Sequence, residues 1–253
     1  MSLSFGKVSF INSIPLFCSE RERGFDFVES YPAKLNDLTA RGKLDVALIS
    51  RWIYPAVQKN YAVIKNFCIG GDGEIMSIKL FSKFDISKLA DKKIFITEQT
   101  GTSSRAFNFI CEKKYGFNLL NCRRADLLSA DAALFIGNQA LASDSAGFDY
   151  VYDLGDLWKR EVGLPMLYAV FVVRRELFET VSERVRDFAE ASLAEFSRDK
   201  SKYISIAQKK FFDDQRVEIS TSELCKYYDC LRYRFDDADF EKSFNFVTEN
   251  GYL

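Results

Sequence analysis

The spacing of apolar positions changes repeatedly along the 253-residue chain. Short apolar runs stop on small polar residues and give way to segments with helical spacing. Val8-Ser9-Phe10-Ile11 reads as a strand that stops at Asn12-Ser13, just before Pro15, and Leu35–Arg41 as a short helix ending near Gly42. Asp45–Ile49 is an apolar strand closed by Ser50, and Met76–Lys83 alternates with the period of two expected of a strand with one buried face. Lys93–Thr97 is another strand, followed by the loop Thr97–Ser104 (TEQTGTSS) and an amphipathic helix from about Arg105 to Tyr115. Ala132–Ile136 closes on Gly137-Asn138, and Tyr168–Val173 is a buried strand. Beyond it the spacing predicts helices over Val181–Arg198, Tyr203–Phe212, Ser222–Tyr233 and Asp236–Asn250, the last capped by Gly251.

Alternating strands and helices, then a helical tail, predict an α/β fold with mostly parallel sheets. In open sheets of this kind, ligands bind beyond the carboxyl ends of the strands. Here those ends carry Asn12, Ser13, Ser50, the TGTSS loop and Gly137-Asn138. Their shared chemistry, amides and hydroxyls without charge, favours a small-molecule site over a set of plain turns.

Composition narrows the choice of function. Hydrophobic residues make up 47% of the chain, enough for a real core in one large domain or two ordinary ones. Thirty-five basic residues balance 36 acidic ones, which gives no hint of a nucleic-acid partner. The six cysteines form no CxxC pair and read as free thiols, and no run of about 18 apolar residues predicts a membrane span. The N-terminus lacks the features of a secretory signal, so a soluble, cytoplasmic protein is expected. Histidine is absent, which removes histidine-based nucleophilic triads, His-ligated metals and a histidine base together. No metal and no organic cofactor is expected, since the phosphate-cradling GxxxxGK[ST] pattern is missing as well.

Two loops carry the candidate chemistry. In Thr97–Ser104, hydroxyls stand where a helix begins, so Thr102 and Ser103 fit either an anion site built on the helix start or simple helix caps. Gly70-Gly-Asp-Gly-Glu-Ile-Met-Ser77 reads as a hairpin or hinge turn leading into a strand, with Asp72 and Glu74 solvated and Ser77 near the strand's start.

Several segments together resemble one family. GKVSFINSIPLF, DVALIS, DGEIMSIKLFSK, TEQTGTSSRAF, ALFIGNQAL and YDLGDLWKREVGLPMLYAVFVVR, spread from residue 6 to about 175, are similar to the MqnA-type chorismate dehydratases of the futalosine route to menaquinone. The resemblance implies a two-lobed fold like type II periplasmic binding proteins, with the ligand between the lobes. It puts the first lobe at residues 1–74 and 175–253 and the second at 75–174. It implies a cytoplasmic lyase whose partner is a small-molecule substrate, chorismate, with no nucleic acid and no membrane involved. Asn12 and Ser77 are the candidate catalytic residues, and Ser13, Ser50, Thr102 and Ser103 the candidate substrate-binding residues. With no histidine, the substrate's own enolpyruvyl carboxylate is the favoured base. A sister family of the same fold makes 1,4-dihydroxy-6-naphthoate with a histidine just after the strand matching ALFI; Gly137 stands there in this chain. A non-catalytic binder of an aromatic carboxylate is the other alternative.

Overall fold

In chain order the first elements are β1 (Leu3–Val8), a 3-10 turn over Ile11–Leu16, β2 (Phe25–Ser30), α1 (Pro32–Ala40), β3 (Val46–Ser50), α2 (Tyr54–Val57) and β4 (Tyr61–Gly71). Next come β5 (Ile78–Ser82), β6 (Lys93–Ile96), α3 (Ser103–Ile110), β7 (Arg123–Arg124), β8 (Ala132–Ile136), α4 (Gly137–Ala142), β9 (Tyr150–Asp153) and α5 (Leu154–Val162). The chain finishes with β10 (Met166–Arg174), α6 (Phe178–Arg198), α7 (Lys200–Gln215), α8 (Thr221–Cys230), β11 (Leu231–Arg234) and α9 (Asp237–Asn250). The computed structural model describes residues 2–19, 24–97 and 103–250.

These strands form two sheets, ordered β11-β4-β10-β3-β1-β2 and β7-β6-β8-β5-β9. Both are mixed. β1 runs parallel to β2 and β3, and β6 runs parallel to β7 and β8. β10 is antiparallel to β3 and β4, β11 to β4, and β5 to β8 and β9. The expectation of mostly parallel sheets is thereby corrected. β5 carries the chain into the second sheet and β10 carries it back, so each opposes the strands beside it. An apolar run such as Val170–Val173 signals burial on both faces, and that signal is blind to direction.

β10 pairs Ala169 with Ser50 and Val173 with Val46, so it is a strand of the first sheet. The chain leaves that sheet between Gly71 and Ile78 and has rejoined it by Met166. The outgoing segment is tied down at its charges. Asp72 pairs with Lys159 of α5 at 2.6 Å and with Arg232 of β11 at 3.4 Å, and Glu74 pairs with Lys226 of α8 at 3.2 Å.

Three local readings also change. β1 ends at Val8, so Asn12 and Ser13 lie on the 3-10 turn, where Pro15 fits without a ladder hydrogen bond. Gly70 belongs to β4 rather than a turn; a Cβ there would stand 2.6 Å from the Phe235 ring, so the glycine serves close packing. Leu231–Arg234 is an edge strand where a helix was predicted: Leu231 is buried while Arg232 and Arg234 are exposed, a period-two signal too short to stand out beside α8.

The core explains the abundance of phenylalanine. The fully buried Phe5 ring meets those of Phe17, Phe25, Phe27, Phe171 and Phe188 at centroid distances of 5.2–5.9 Å, which fastens α6 to the first sheet. All six cysteines are free. Burial pushes the Cys18 and Cys111 thiols up to about 12, so both stay protonated and unreactive. Among the described residues no helix is long and apolar enough to cross a membrane.

Candidate functional site

A cleft between the two sheets holds about 650 Å³ of empty space, its open mouth included. The first sheet and its connections contribute Phe10, Asn12, Ser50, Tyr168 and Leu231; the crossing segment and the second sheet contribute Ile75, Ser77, Ser103 and Gly137. None of the described residues lining it carries a charge. An anionic ligand there meets neutral donors on an apolar floor.

Asn12 reaches the cleft because a 3-10 turn rotates each residue by about a third of a turn. Ser13 is consequently sent the other way. Its buried hydroxyl is shared between the carbonyls of Val8 at 2.6 Å and Phe10 at 3.0 Å, and it does not line the cleft. Ser13, expected to bind substrate, is thus not brought to the cleft with Asn12; its side chain builds the turn that presents Asn12. The turn is held from afar. Tyr228 donates to Ile11 O and Tyr233 to Asn12 O, both at 2.9 Å, and Ile11 N–H donates to Asn138 Oδ1 at 3.4 Å.

Ser50 ends β3 with its hydroxyl donating to Tyr168 O at 3.3 Å and its N–H donating to Asn36 Oδ1 at 3.2 Å. Ser77 is buried on the cleft wall, where its carbonyl accepts the Gly137 N–H at 2.7 Å. Just before it, Met76 takes the left-handed φ of +62°, a costly conformation for a side chain of that size. Asp153 holds it there, accepting from Ile75 N–H at 3.1 Å and Met76 N–H at 2.7 Å while capping α5 through Gly155 N–H at 2.8 Å. Burial pushes the Asp153 carboxyl up to about 6, against the pull of these backbone donors.

Ser103 opens α3 on the cleft wall; Thr102, its expected companion, lies outside the described residues. Gly137 has φ of +59°, and a Cβ on it would come within 2.8 Å of the Phe10 ring. Phe10 therefore fills the space that a side chain at position 137 would need.

Two tyrosines escaped the sequence reading. The Tyr168 hydroxyl is buried with no hydrogen-bond partner among the described residues. Burial, with the nearby Asp153 and Asp156 charges, raises it well above the ordinary tyrosine value, so it keeps its proton and can donate. The Tyr227 hydroxyl, from α8, stands beside the Ser77 and Asn12 side chains without closing a hydrogen bond to either. Tyr168 gave a weak signal, a hydroxyl-bearing ring in a fully apolar run. Tyr227 gave none, since nothing local distinguishes it from its neighbour Tyr228.

Residues 3–246 match a family of proteins described by the words menaquinone biosynthesis. The chorismate dehydratase of Thermus thermophilus is 29% identical over 191 residues, which cover 68% of this chain and 69% of that protein. Among solved structures, a protein of Archaeoglobus fulgidus superposes with a TM-score of 0.77 at 16% identity, covering 98% of this chain and 96% of its own. The periplasmic aliphatic sulphonate binding protein of Escherichia coli does so with a TM-score of 0.65 at 13% identity, covering 98% and 92%. These likenesses extend over both sheets and match the two-lobed fold with a cleft. The chain belongs to the menaquinone biosynthesis family, built on a periplasmic-binding-protein-like fold.

Proposed function

We propose that the protein is a chorismate dehydratase, converting chorismate to 3-[(1-carboxyvinyl)oxy]benzoate and water in menaquinone biosynthesis. The observation that carries this reading is the uncharged cleft in which Asn12, Ser50, Ser77, Ser103 and Tyr168 all bring polar groups to one apolar floor. The likeness to the Thermus thermophilus chorismate dehydratase supports it.

The chemistry asks for little more than these donors. Chorismate bears a ring carboxylate, an enolpyruvyl ether at C3 and a hydroxyl at C4. The C3 hydrogen is vinylogous to the ring carboxylate, so its loss pushes charge onto that group as a dienolate. Ser77 and Ser103 donate to this carboxylate as the charge develops, the logic of an oxyanion hole. Asn12 and Ser50 orient the enolpyruvyl ether and the departing C4 hydroxyl. The C4–O bond then breaks, a C3–C4 double bond completes the aromatic ring, and hydroxide leaves as water with the abstracted proton. Nothing is oxidised or reduced overall.

The base is the substrate's enolpyruvyl carboxylate, held close to the C3 hydrogen. The chain has no histidine, and the described residues lining the cleft include no carboxylate. Asp153 is committed to backbone N–H groups behind the wall. Proximity of this kind contributes up to roughly 7–11 kcal/mol of barrier lowering.

The test is incubation with chorismate, followed by ultraviolet absorbance and mass spectrometry. A new benzoate absorbance and a product lighter by one water are expected, with turnover slowed when C3 carries deuterium. Chorismate that binds and is recovered unchanged makes the protein a binder and overturns the reading.

A further inference from the structure

Three phenols from the C-terminal segment converge on the turn that carries Asn12. Tyr228 and Tyr233 fix the carbonyls of Ile11 and Asn12, so the backbone on both sides of the Asn12 Cα is tied to α8 and β11. Tyr227, fully buried on the same helix as Tyr228, lies beside the side chains of Asn12 and Ser77. Among the described residues neither the Tyr227 hydroxyl nor Asn12 Oδ1 has a hydrogen-bond partner, although both atoms are buried. One is a donor and the other can only accept. Leaving both unmade is costly, and a hydrogen bond between them would satisfy both.

We propose that Tyr227 is the positioning residue for Asn12: it donates its O–H to Asn12 Oδ1 and so turns the amide NH₂ group toward the substrate. The inference rests on the chorismate reading for the identity of that substrate. An unanchored amide offers its oxygen or its nitrogen to the cleft by a flip about one bond. Its oxygen repels a dianion, whereas its two N–H groups attract one. With the backbone already held by Tyr228 and Tyr233, this flip is the remaining freedom, and the Tyr227 hydroxyl removes it. Ser77 lies beside the same hydroxyl, so one ring stands next to both proposed catalytic residues, and the single Ser77 O–H remains for the substrate carboxylate.

Tyr227→Phe deletes the hydroxyl and keeps the ring. It is made in the natural chain and in the Asn12→Ala variant, with thermal melting as the check on folding. In the natural chain kcat is expected to fall about tenfold, the weight of one hydrogen bond of ordinary strength, with KM within about twofold. In the Asn12→Ala background no further loss is expected, because there is no amide left to orient. A second readout needs no turnover: with ¹⁵N-labelled asparagine, the Asn12 side-chain amide resonances shift in Tyr227→Phe, and chorismate moves them in the natural chain. Equal losses in both backgrounds, or unchanged amide resonances, overturn the proposal and leave Tyr227 as core packing. Failure of the natural protein to dehydrate chorismate overturns the function instead, and the resonance comparison still decides the Tyr227–Asn12 contact. If Tyr227→Phe does not fold, the natural chain decides alone, through whether chorismate slows solvent exchange of the Tyr227 hydroxyl proton.

Discussion

Asn12 shows how little of a side chain's role is written at its own position. Its neighbours Ser13, Tyr228 and Tyr233 spend their hydroxyls on backbone carbonyls, and this construction delivers one uncharged amide to the cleft. The absence of charge is functional where the ligand is a dianion. Asn12→Ala removes hydrogen bonds only, so kcat for chorismate is expected to drop about 10²–10³-fold, the scale for one preorganised donor, with a modest change in affinity. Asn12→Asp adds a third negative charge and is expected to lose binding as well, measured by titration calorimetry. Equal affinity in the two variants would mean that the amide does not face a carboxylate.

At the scale of elements, the segment between β4 and β5 matters most, because it carries Ser77 and is held in a strained form by Asp153 from the end of β9. The carboxyl titrates near 6 in the folded protein against an ordinary value of 3.8. A folded pKa raised above the unfolded one means that the folded state binds the proton more tightly. The stability from this group is therefore full below about pH 4 and is lost as pH rises through about 6, an effect on the order of 3 kcal/mol for a shift of this size. Tyr168, Tyr227, Lys226 and Cys230 face the same carboxylate, and none of them changes charge in that interval. Denaturant melts of the natural chain and of Asp153→Asn should show a gap that narrows as pH rises from about 4 to about 6. A widening gap refutes the assignment.

The whole molecule is braced where its two sheets meet. Trp52, after β3, stacks edge-on to Trp158 of α5 at 6.2 Å, and Phe246 of α9 packs on Trp158 at 5.6 Å and on Phe109 of α3 at 5.7 Å. α9 is pinned in turn by the buried Arg51, whose guanidinium lies 3.6 Å from the Phe244 ring centroid and donates to Phe244 O and Thr248 Oγ1. The brace thus joins the turn after β3 to the helix that opens on the cleft with Ser103. Both tryptophans of the chain lie in it, so their emission reports the contact. Phe246→Ala is expected to red-shift that emission and to lower stability by about 1–3 kcal/mol, less than a fully buried phenylalanine because Phe246 is half-buried. An unchanged spectrum would show that the brace does not depend on α9.

The sequence by itself determined the apolar runs that became the strands, the absence of histidine, and the small uncharged residues where those runs stop. It did so because periodicity and composition are local, and burial on one face or two leaves its mark within a few residues. The motifs from residue 6 to about 175 carried the family in the same way. Only the tertiary structure decided the direction of β5 and β10, since an apolar run is the same read either way. It alone separated Asn12 from Ser13, because one step along a 3-10 turn sends one side chain to the cleft and the other into the wall. It alone brought Tyr227, Tyr228 and Tyr233 to the first turn of the chain, across a separation of 217 residues between Tyr228 and Ile11. Contacts at that range depend on how sheets and helices pack, and no spacing within the tail encodes which turn its phenols will meet.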